Sequence, residues 1–155
     1  MKKGLLFKSI AIPLLVGVIA SLLTGGGMEM FETLEKPPLS PSGWLFPIVW
    51  TILYTLMGIS SYLILTSGAE QKKIDNAIRL YGYQLLVNFL WPTFFFNLEW
   101  YLFSFLWLVL LWILVFQMIR RFWEIDKRAA LLNIPYLIWL TFAGYLNLGI
   151  WWLNR

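Results

Sequence analysis

The chain contains no cysteine and no histidine, and only 13% of its 155 residues are charged. Without thiols there is no disulfide framework, iron–sulfur cluster or cysteine nucleophile. Without imidazole there is no Ser-His-Asp machinery and no usual ligand for zinc or haem iron. A soluble domain carries about a quarter of its residues as charged side chains, so the low charge content also argues against an ordinary soluble protein.

The chain is instead rich in apolar and aromatic residues: 60% of it is hydrophobic, 19% is aromatic, and the mean hydropathy is +0.72. Charged residues divide it into five neutral stretches, at 9–28, 37–69, 80–98, 100–119 and 129–154. Each stretch is long enough to cross a hydrocarbon core of about 30 Å as an α-helix. The second opens with clustered prolines that cannot form regular helix, so its span starts near Trp44.

We therefore predict an all-α fold, an integral membrane bundle of five transmembrane helices in a single domain over residues 1–155. The expected spans are about 6–25, 44–66, 80–98, 100–119 and 130–152, and residues 26–43 connect the first two. The first span looks somewhat like a secretory signal. Its apolar run is long and no convincing small-x-small cleavage site follows it, which favours an uncleaved helix.

Basic residues fall mainly on one side of this predicted bundle. The N-terminal segment and the connections after the second and fourth spans hold ten Lys and Arg residues, against Lys36 and Arg155 on the other side. The positive-inside rule then places the N-terminus in the cytoplasm, most simply across a bacterial plasma membrane. Because topology accounts for the net charge of +4, we expect the lipid bilayer as a partner, with anionic head groups at the loops, and no nucleic acid.

No Asp, Glu, Lys or Arg lies inside the spans away from their ends. Ion-coupled transporters keep an ionisable residue near the midplane and acid–base enzymes need titratable groups, so neither mechanism is expected. Asn88 and Asn147 each fall on a helical stripe with aromatic residues, and an amide facing lipid would have no partner. We expect both to face the interior, where hydrogen bonding between helices is favoured over ligand contact.

Tryptophans occur in two kinds of position. Those near span ends, such as Trp44, are typical of an interfacial belt. Trp50, Trp91 and Trp139 each lie about two turns inside a span, beside a polar group on the same stripe, and they either line a pocket or fill space. A row of small residues in the first span predicts close helix packing, within a protomer or between two: Gly17, Ser21 and Gly25.

Short motifs of proline, aromatic and amide residues follow one another in a specific order along the spans. They are Leu34-Glu35-Lys36-Pro37-Pro38, Pro41 with Trp44, Val49-Trp50, Leu53-Tyr54, Met57-Gly58, Asn88, Trp91-Pro92, Phe94-Phe95-Phe96, Pro135-Tyr136-Leu137-Ile138-Trp139, Phe142-Ala143, Tyr145-Leu146-Asn147 and Trp151. Each is common in membrane helices, but in this order and spacing the chain resembles the translocator protein family over nearly its whole length. Members are also called tryptophan-rich sensory proteins or peripheral-type benzodiazepine receptors.

This resemblance implies a five-helix bundle, a homodimer and a ligand pocket capped by the segment 26–43. Members of the family bind porphyrins and haem, and many bind isoquinoline or benzodiazepine-type drugs and sterols. The implied partner is therefore a porphyrin, a haem or another planar apolar small molecule, with no required cofactor and no metal site. The ligand-binding residues carried over from the family motif are Trp44, Trp50, Tyr54, Asn88, Trp91, Trp139, Phe142, Ala143 and Asn147.

The chain departs from the family pattern at several positions. Leu39, Phe89 and Phe103 stand where many members have tryptophan. The sterol-recognition pattern of animal members needs a tyrosine followed closely by a basic residue at the end of the fifth helix. After Tyr145 the next basic residue is Arg155, so specific sterol binding is not expected from this pattern, which is weak even when intact.

Three functions are compatible with these residues. The first is a membrane sensor or carrier that encloses a porphyrin-like molecule between aromatic faces. The second is light-dependent oxidative degradation of porphyrin, with Trp50 and Trp139 as the candidate catalytic residues. The third is transport of a ligand or sterol across the membrane, for which no ion coupling is expected. A purely structural scaffold is disfavoured because it leaves the inward tryptophans unexplained.

Overall fold

The computed structural model describes residues 1–25 and 27–155. Its helices are α1 (Lys3–Thr24), α2 (Gly27–Thr33), α3 (Leu45–Leu65), α4 (Gln71–Pro92), α5 (Tyr101–Ile125), α6 (Lys127–Leu131) and α7 (Ile134–Leu153), with a π-helical turn at Thr93–Asn97. All regular elements within these residues are helical, which confirms the all-α prediction.

Four of the helical segments are long and apolar enough to cross a membrane. They are α1, α3, α5 and the joined α6–α7 segment, and they match the predicted first, second, fourth and fifth spans. The predicted third span, 80–98, corresponds to the last part of α4 and the π-helical turn. Helix α4 begins at Gln71, so its first three turns carry four charged residues. It is not one of the helices that are apolar enough to cross a membrane.

The ends of the helices follow local chemistry. Asp126 has extended backbone, and its Oδ1 accepts a hydrogen bond from the Arg128 backbone N–H (2.9 Å), an N-cap that begins α6. Pro47 and Pro135 lie in the first turns of α3 and α7, where a missing N–H breaks no helical hydrogen bond. At the other end of a helix, Pro92 is the last residue of α4, before the widened π-helical turn.

The long helices pack around a common core. Helix α1 packs on α3 and α4, α5 packs on α4 and α7, and α3 packs on α6. Helices α1 and α3 are in backbone contact at Gly58, where an added Cβ would lie 2.4 Å from the Cα of Ile10. Small residues permit this kind of close crossing between membrane helices.

The segment predicted as a capping loop, 26–43, contains the short helix α2; its first residue, Gly26, lies outside the described residues. The Lys36 ammonium donates hydrogen bonds to the carbonyls of Phe31 (3.0 Å) and Leu34 (3.1 Å). The carbonyls at the end of a helix lack partners within it, so this ammonium group stabilises the end of α2 and the turn after it.

Candidate functional site in the bundle interior

A cavity of about 410 Å³ lies between the helices. Its lining comes from α1, α2, α3, α4, α5 and α7 and from the π-helical turn. Sites for small molecules usually enclose about 300–1,000 Å³ and are lined mainly by apolar and aromatic side chains with a few polar groups. The cavity matches this description in both its size and its lining.

Aromatic rings connect the capping segment to the helices along one wall of the cavity. Phe31, on α2, packs edge to face with Phe46, on α3, at a centroid separation of 5.2 Å. Phe46 in turn packs against Trp139 of α7 at 5.8 Å. Such pairs stabilise a fixed ring geometry beyond their area burial. The cavity wall therefore continues from α7 through α3 to α2.

Trp50 and Trp139 have indole N–H groups without a hydrogen-bond partner among residues 1–25 and 27–155. Both side chains line the cavity, and neither indole N–H donates to another group among the residues that the structure describes. Neither of the two indole nitrogens is fully buried, so each is accessible to a small molecule. An aromatic face with a free donor suits a planar ligand whose edge carries carbonyl or carboxylate oxygens.

Trp91 lines the same cavity, but its donor is already used. Its Nε1 donates to the Ser104 carbonyl and to the Oδ1 of Asn147, both at 3.1 Å. The Asn147 Nδ2 donates to the Tyr101 carbonyl at 2.8 Å. These bonds join α4, α5 and α7, which confirms that Asn147 faces the interior and hydrogen-bonds between helices. Trp91 can therefore offer a ligand its ring but not its N–H.

Asn88 connects three helices in the same way. Its Oδ1 accepts from the Tyr54 hydroxyl (2.8 Å), and its Nδ2 donates to the Tyr136 hydroxyl oxygen (2.7 Å). Only 4% of Asn88 is exposed, which confirms its inward orientation. Tyr54 and Asn88 line the cavity, whereas Tyr136 is buried behind them.

The capping segment is held on α7 by contacts along three successive turns of that helix. Asn154, just after α7, exchanges two hydrogen bonds with the backbone of Glu35, at 3.1 and 2.8 Å. At Gly149 an added Cβ would lie 2.6 Å from Pro37, so this glycine lets the proline lie against the helix. The Tyr145 hydroxyl donates to the carbonyl of the following proline at 2.7 Å. Moving the segment away from the cavity requires these contacts to break.

The structure brings most of the predicted site residues together. The cavity is lined by seven of the nine: Trp50, Tyr54, Asn88, Trp91, Trp139, Ala143 and Asn147. Trp44 is 69% exposed and does not contribute to the lining. Phe142 is also outside it, with its ring 5.7 Å from that of Trp139. Ligand contact by any of the nine remains a prediction.

Several lining residues lie outside the set predicted from the sequence. Gly17 and Ser21 are predicted only as packing residues, yet both line the cavity. An added Cβ on Gly17 would lie 2.5 Å from the Tyr54 ring, so the glycine also allows α1 to pack closely on that ring. Phe31 carries no sequence signal for the site, because its segment, 26–43, is predicted as a capping loop. Phe46 does carry such a signal, because it precedes Trp50 by four residues and therefore lies on the same face of the helix.

The fold and the cavity define a class, that of α-helical membrane proteins with an aromatic pocket inside the bundle. The model of the TspO/MBR family matches residues 9–153, and the chain belongs to this family. With four apolar helices and this membership, it is an integral membrane protein. It is 37% identical to the tryptophan-rich protein TspO of Chlorobaculum tepidum over 146 residues, which cover 94% of the chain and 92% of that protein.

Two further relatives extend this similarity. Protein CrtK of Rhodobacter capsulatus is 39% identical over 124 residues, which cover 80% of the chain and 78% of that protein. The translocator protein of Bos taurus is 33% identical over 146 residues, 93% of the chain and 86% of that protein. The resemblance seen in the sequence motifs is therefore confirmed across bacterial and animal relatives.

Proposed function

We propose that the protein binds a porphyrin, a haem or a similar planar apolar molecule in the cavity and acts as a membrane sensor or carrier. The observation that carries this proposal is the pair of indole N–H groups on Trp50 and Trp139, which lie in a wall of aromatic rings and have no partner in the part of the chain that the structure describes. Aromatic faces suit the flat apolar body of such a ligand, and the two donors suit its carboxylate edge.

The proposal includes α4 as the third of five membrane-spanning helices. At a rise of about 1.5 Å per residue, α4 is about 33 Å long, enough to cross the hydrocarbon core. Its polar residues Gln84 and Asn88 are buried and hydrogen-bonded, so neither faces lipid. The N-terminus lies in the cytoplasm by the basic asymmetry of the loops, the membrane is a bacterial plasma membrane, and the protein assembles as a homodimer.

Equilibrium titration of the purified protein with protoporphyrin IX tests the binding proposal. We expect quenching of tryptophan fluorescence and a shift of the porphyrin absorbance band. Trp50→Phe and Trp139→Phe keep an aromatic ring but remove the donor, so each should weaken binding about fivefold to tenfold. Trp123→Phe, at an exposed position near the end of α5, is the matched control and should bind as the wild type does. Unchanged fluorescence and absorbance at saturating porphyrin would refute the proposal.

Light-driven oxidation of bound porphyrin by dioxygen is a second candidate. One observation favours it: the Trp50 ring, at the cavity wall, lies 5.4 Å from the Tyr54 ring and 6.1 Å from the ring of Tyr136, which is buried behind that wall, so three oxidisable rings are adjacent. Illumination of the complex should then consume porphyrin, and Trp50→Phe should slow that loss at saturating ligand. Equal rates in Trp50→Phe, Trp139→Phe and the wild type would leave the indoles as binding surface only.

A further inference from the structure

A chain of hydrogen bonds runs from the cavity wall into the core through Tyr54, Asn88, Tyr136, Gln84 and Met57. The Tyr136 hydroxyl donates to the Gln84 Oε1 at 2.8 Å, and the Gln84 Nε2 points at the Met57 sulfur at 4.0 Å. Gln84 and Met57 are 0% exposed and Tyr136 is 1% exposed. The chain therefore has one end at the cavity and the other in a dry interior.

The orientation of the two amides fixes which group donates in each bond of this chain. An amide oxygen only accepts and an amide nitrogen only donates, so Tyr54 donates to Asn88, Asn88 donates to Tyr136, and Tyr136 donates to Gln84. Every hydroxyl proton in the chain therefore points away from the cavity. In particular, the Tyr54 hydroxyl proton is held by Asn88 and is not available to a ligand.

The same side chains could form the chain in the opposite direction if both amides turned over. Asn88 would then donate to Tyr54, and the Tyr54 hydroxyl proton would be free. In that arrangement the Gln84 Oε1 would face the Met57 sulfur, and these two atoms are both acceptors. A buried acceptor without a donor is costly, so the thioether selects the direction in which Gln84 presents its NH₂ group.

We infer that Met57, Gln84 and Tyr136, which do not line the cavity, determine its ligand specificity by fixing the direction of this chain. The Tyr54 hydroxyl oxygen then accepts a hydrogen bond from a ligand but does not donate one. Trp50, one turn earlier on α3, offers the opposite character, a donor without an acceptor. The ligand class is therefore a planar apolar molecule with a hydroxyl or N–H donor near Tyr54 and an acceptor near Trp50. This inference rests on the proposed binding function.

The probes are haematoporphyrin IX, whose two hydroxyethyl groups donate hydrogen bonds, and its di-O-methyl ether, which keeps the ether oxygens but has no hydroxyl proton. Both are titrated into the full-length protein in nanodiscs, with fluorescence quenching as the readout. A single neutral hydrogen bond corresponds to an affinity ratio of about fivefold, so the wild type should prefer haematoporphyrin by about that factor.

Met57→Leu removes the sulfur at nearly constant volume and leaves the cavity lining intact. Without the thioether, either direction gives the Gln84 amide one hydrogen bond, to Tyr136, so neither direction is selected and the preference for haematoporphyrin should fall towards about onefold. Met118→Leu makes the same change at another fully buried methionine, on α5, and should keep the wild-type ratio. Tyr136→Phe, which interrupts the chain while keeping the ring, should also lose the preference, and thermal melting establishes that each variant is folded.

Three results would count against the inference or its basis. A wild type that binds both porphyrins equally well overturns the inference and leaves the proposed function standing. Folded Met57→Leu and Tyr136→Phe variants that both keep the wild-type ratio also overturn it, because the core end of the chain would then have no influence on the cavity. A wild type that binds neither porphyrin, nor protoporphyrin IX, refutes the proposed function itself.

Discussion

Gly58 sets the distance between α1 and α3, and replacing it tests how the fold shapes the cavity. An alanine Cβ there would lie 2.4 Å from the Ile10 Cα and 2.7 Å from the Ser9 carbonyl oxygen. Ordinary van der Waals contact begins at 3.4 Å, so the alanine Cβ would lie about 1 Å too close to the Ile10 Cα. Both obstructing atoms belong to backbone, so no side chain can move aside and α1 must shift.

The expected cost of Gly58→Ala follows from this geometry. Overpacking of a tight contact costs about 1–3 kcal/mol, while Gly to Ala within a helix gains about 1 kcal/mol. Gly82→Ala is the matched control, because Gly82 is exposed on α4 and an added Cβ meets no atom within 4 Å. We therefore expect Gly58→Ala to lower the free energy of unfolding by up to about 2 kcal/mol and Gly82→Ala to raise it by about 1 kcal/mol.

Thermal melting of both variants in the same detergent measures this difference. At about 2–4 °C per kcal/mol for a chain of this size, the two melting temperatures should fall on opposite sides of the wild-type value. Gly58→Ala should also weaken porphyrin binding, since α1 and α3 both line the cavity. A Gly58→Ala protein that melts at or above the wild-type temperature would show that the helices do not depend on this contact.

Three further predictions concern other parts of the molecule. Asn154→Ala removes both hydrogen bonds to the capping segment, so ligand dissociation in stopped-flow displacement should accelerate about fivefold to tenfold; an unchanged rate would mean that the segment does not limit release. Asn147→Leu leaves the Trp91 N–H short of one acceptor, and chemical denaturation should show a loss of about 1–2 kcal/mol, whereas wild-type stability would contradict the bridging role. The Arg128 guanidinium lowers the pKa of Asp126 from its ordinary 3.8, so the stabilisation by this carboxylate is complete above that pH and is lost as the pH falls through the lowered value. Asp126→Asn should therefore melt below the wild type at pH 7, and this difference should shrink as the pH falls below 3.8; a difference that does not change with pH would refute the ionic contribution.

The inward orientation of the two amides could be predicted because the membrane makes it compulsory. An amide in hydrocarbon must find a partner within the protein, so Asn88 and Asn147 had to face other helices whatever the details of the fold. Their partners could not be predicted, since the hydroxyl of Tyr136 and the indole of Trp91 meet them only through helix crossings. Which indole N–H groups remain free for a ligand depends on those same contacts.

The structure of the capping segment, in contrast, depends more on tertiary contacts than on its local sequence. Its prolines and its lack of a long apolar run indicate a connection, but α2 is only seven residues long and its stability comes from tertiary contacts. The Asn154 bonds to Glu35 span 119 residues of sequence, and the fit of Pro37 against Gly149 depends on the path of both backbones. No local pattern encodes such pairings.

The sequence by itself determined that this chain is a helical membrane protein and that the amides Asn88 and Asn147 point inward, because these features follow from transfer free energies and helical periodicity alone. The tertiary structure decided which tryptophan donors are free, in which direction the buried hydrogen bonds run and how the capping segment is held. These depend on distances between residues far apart in the chain, which hydrophobic pattern and local propensity do not specify.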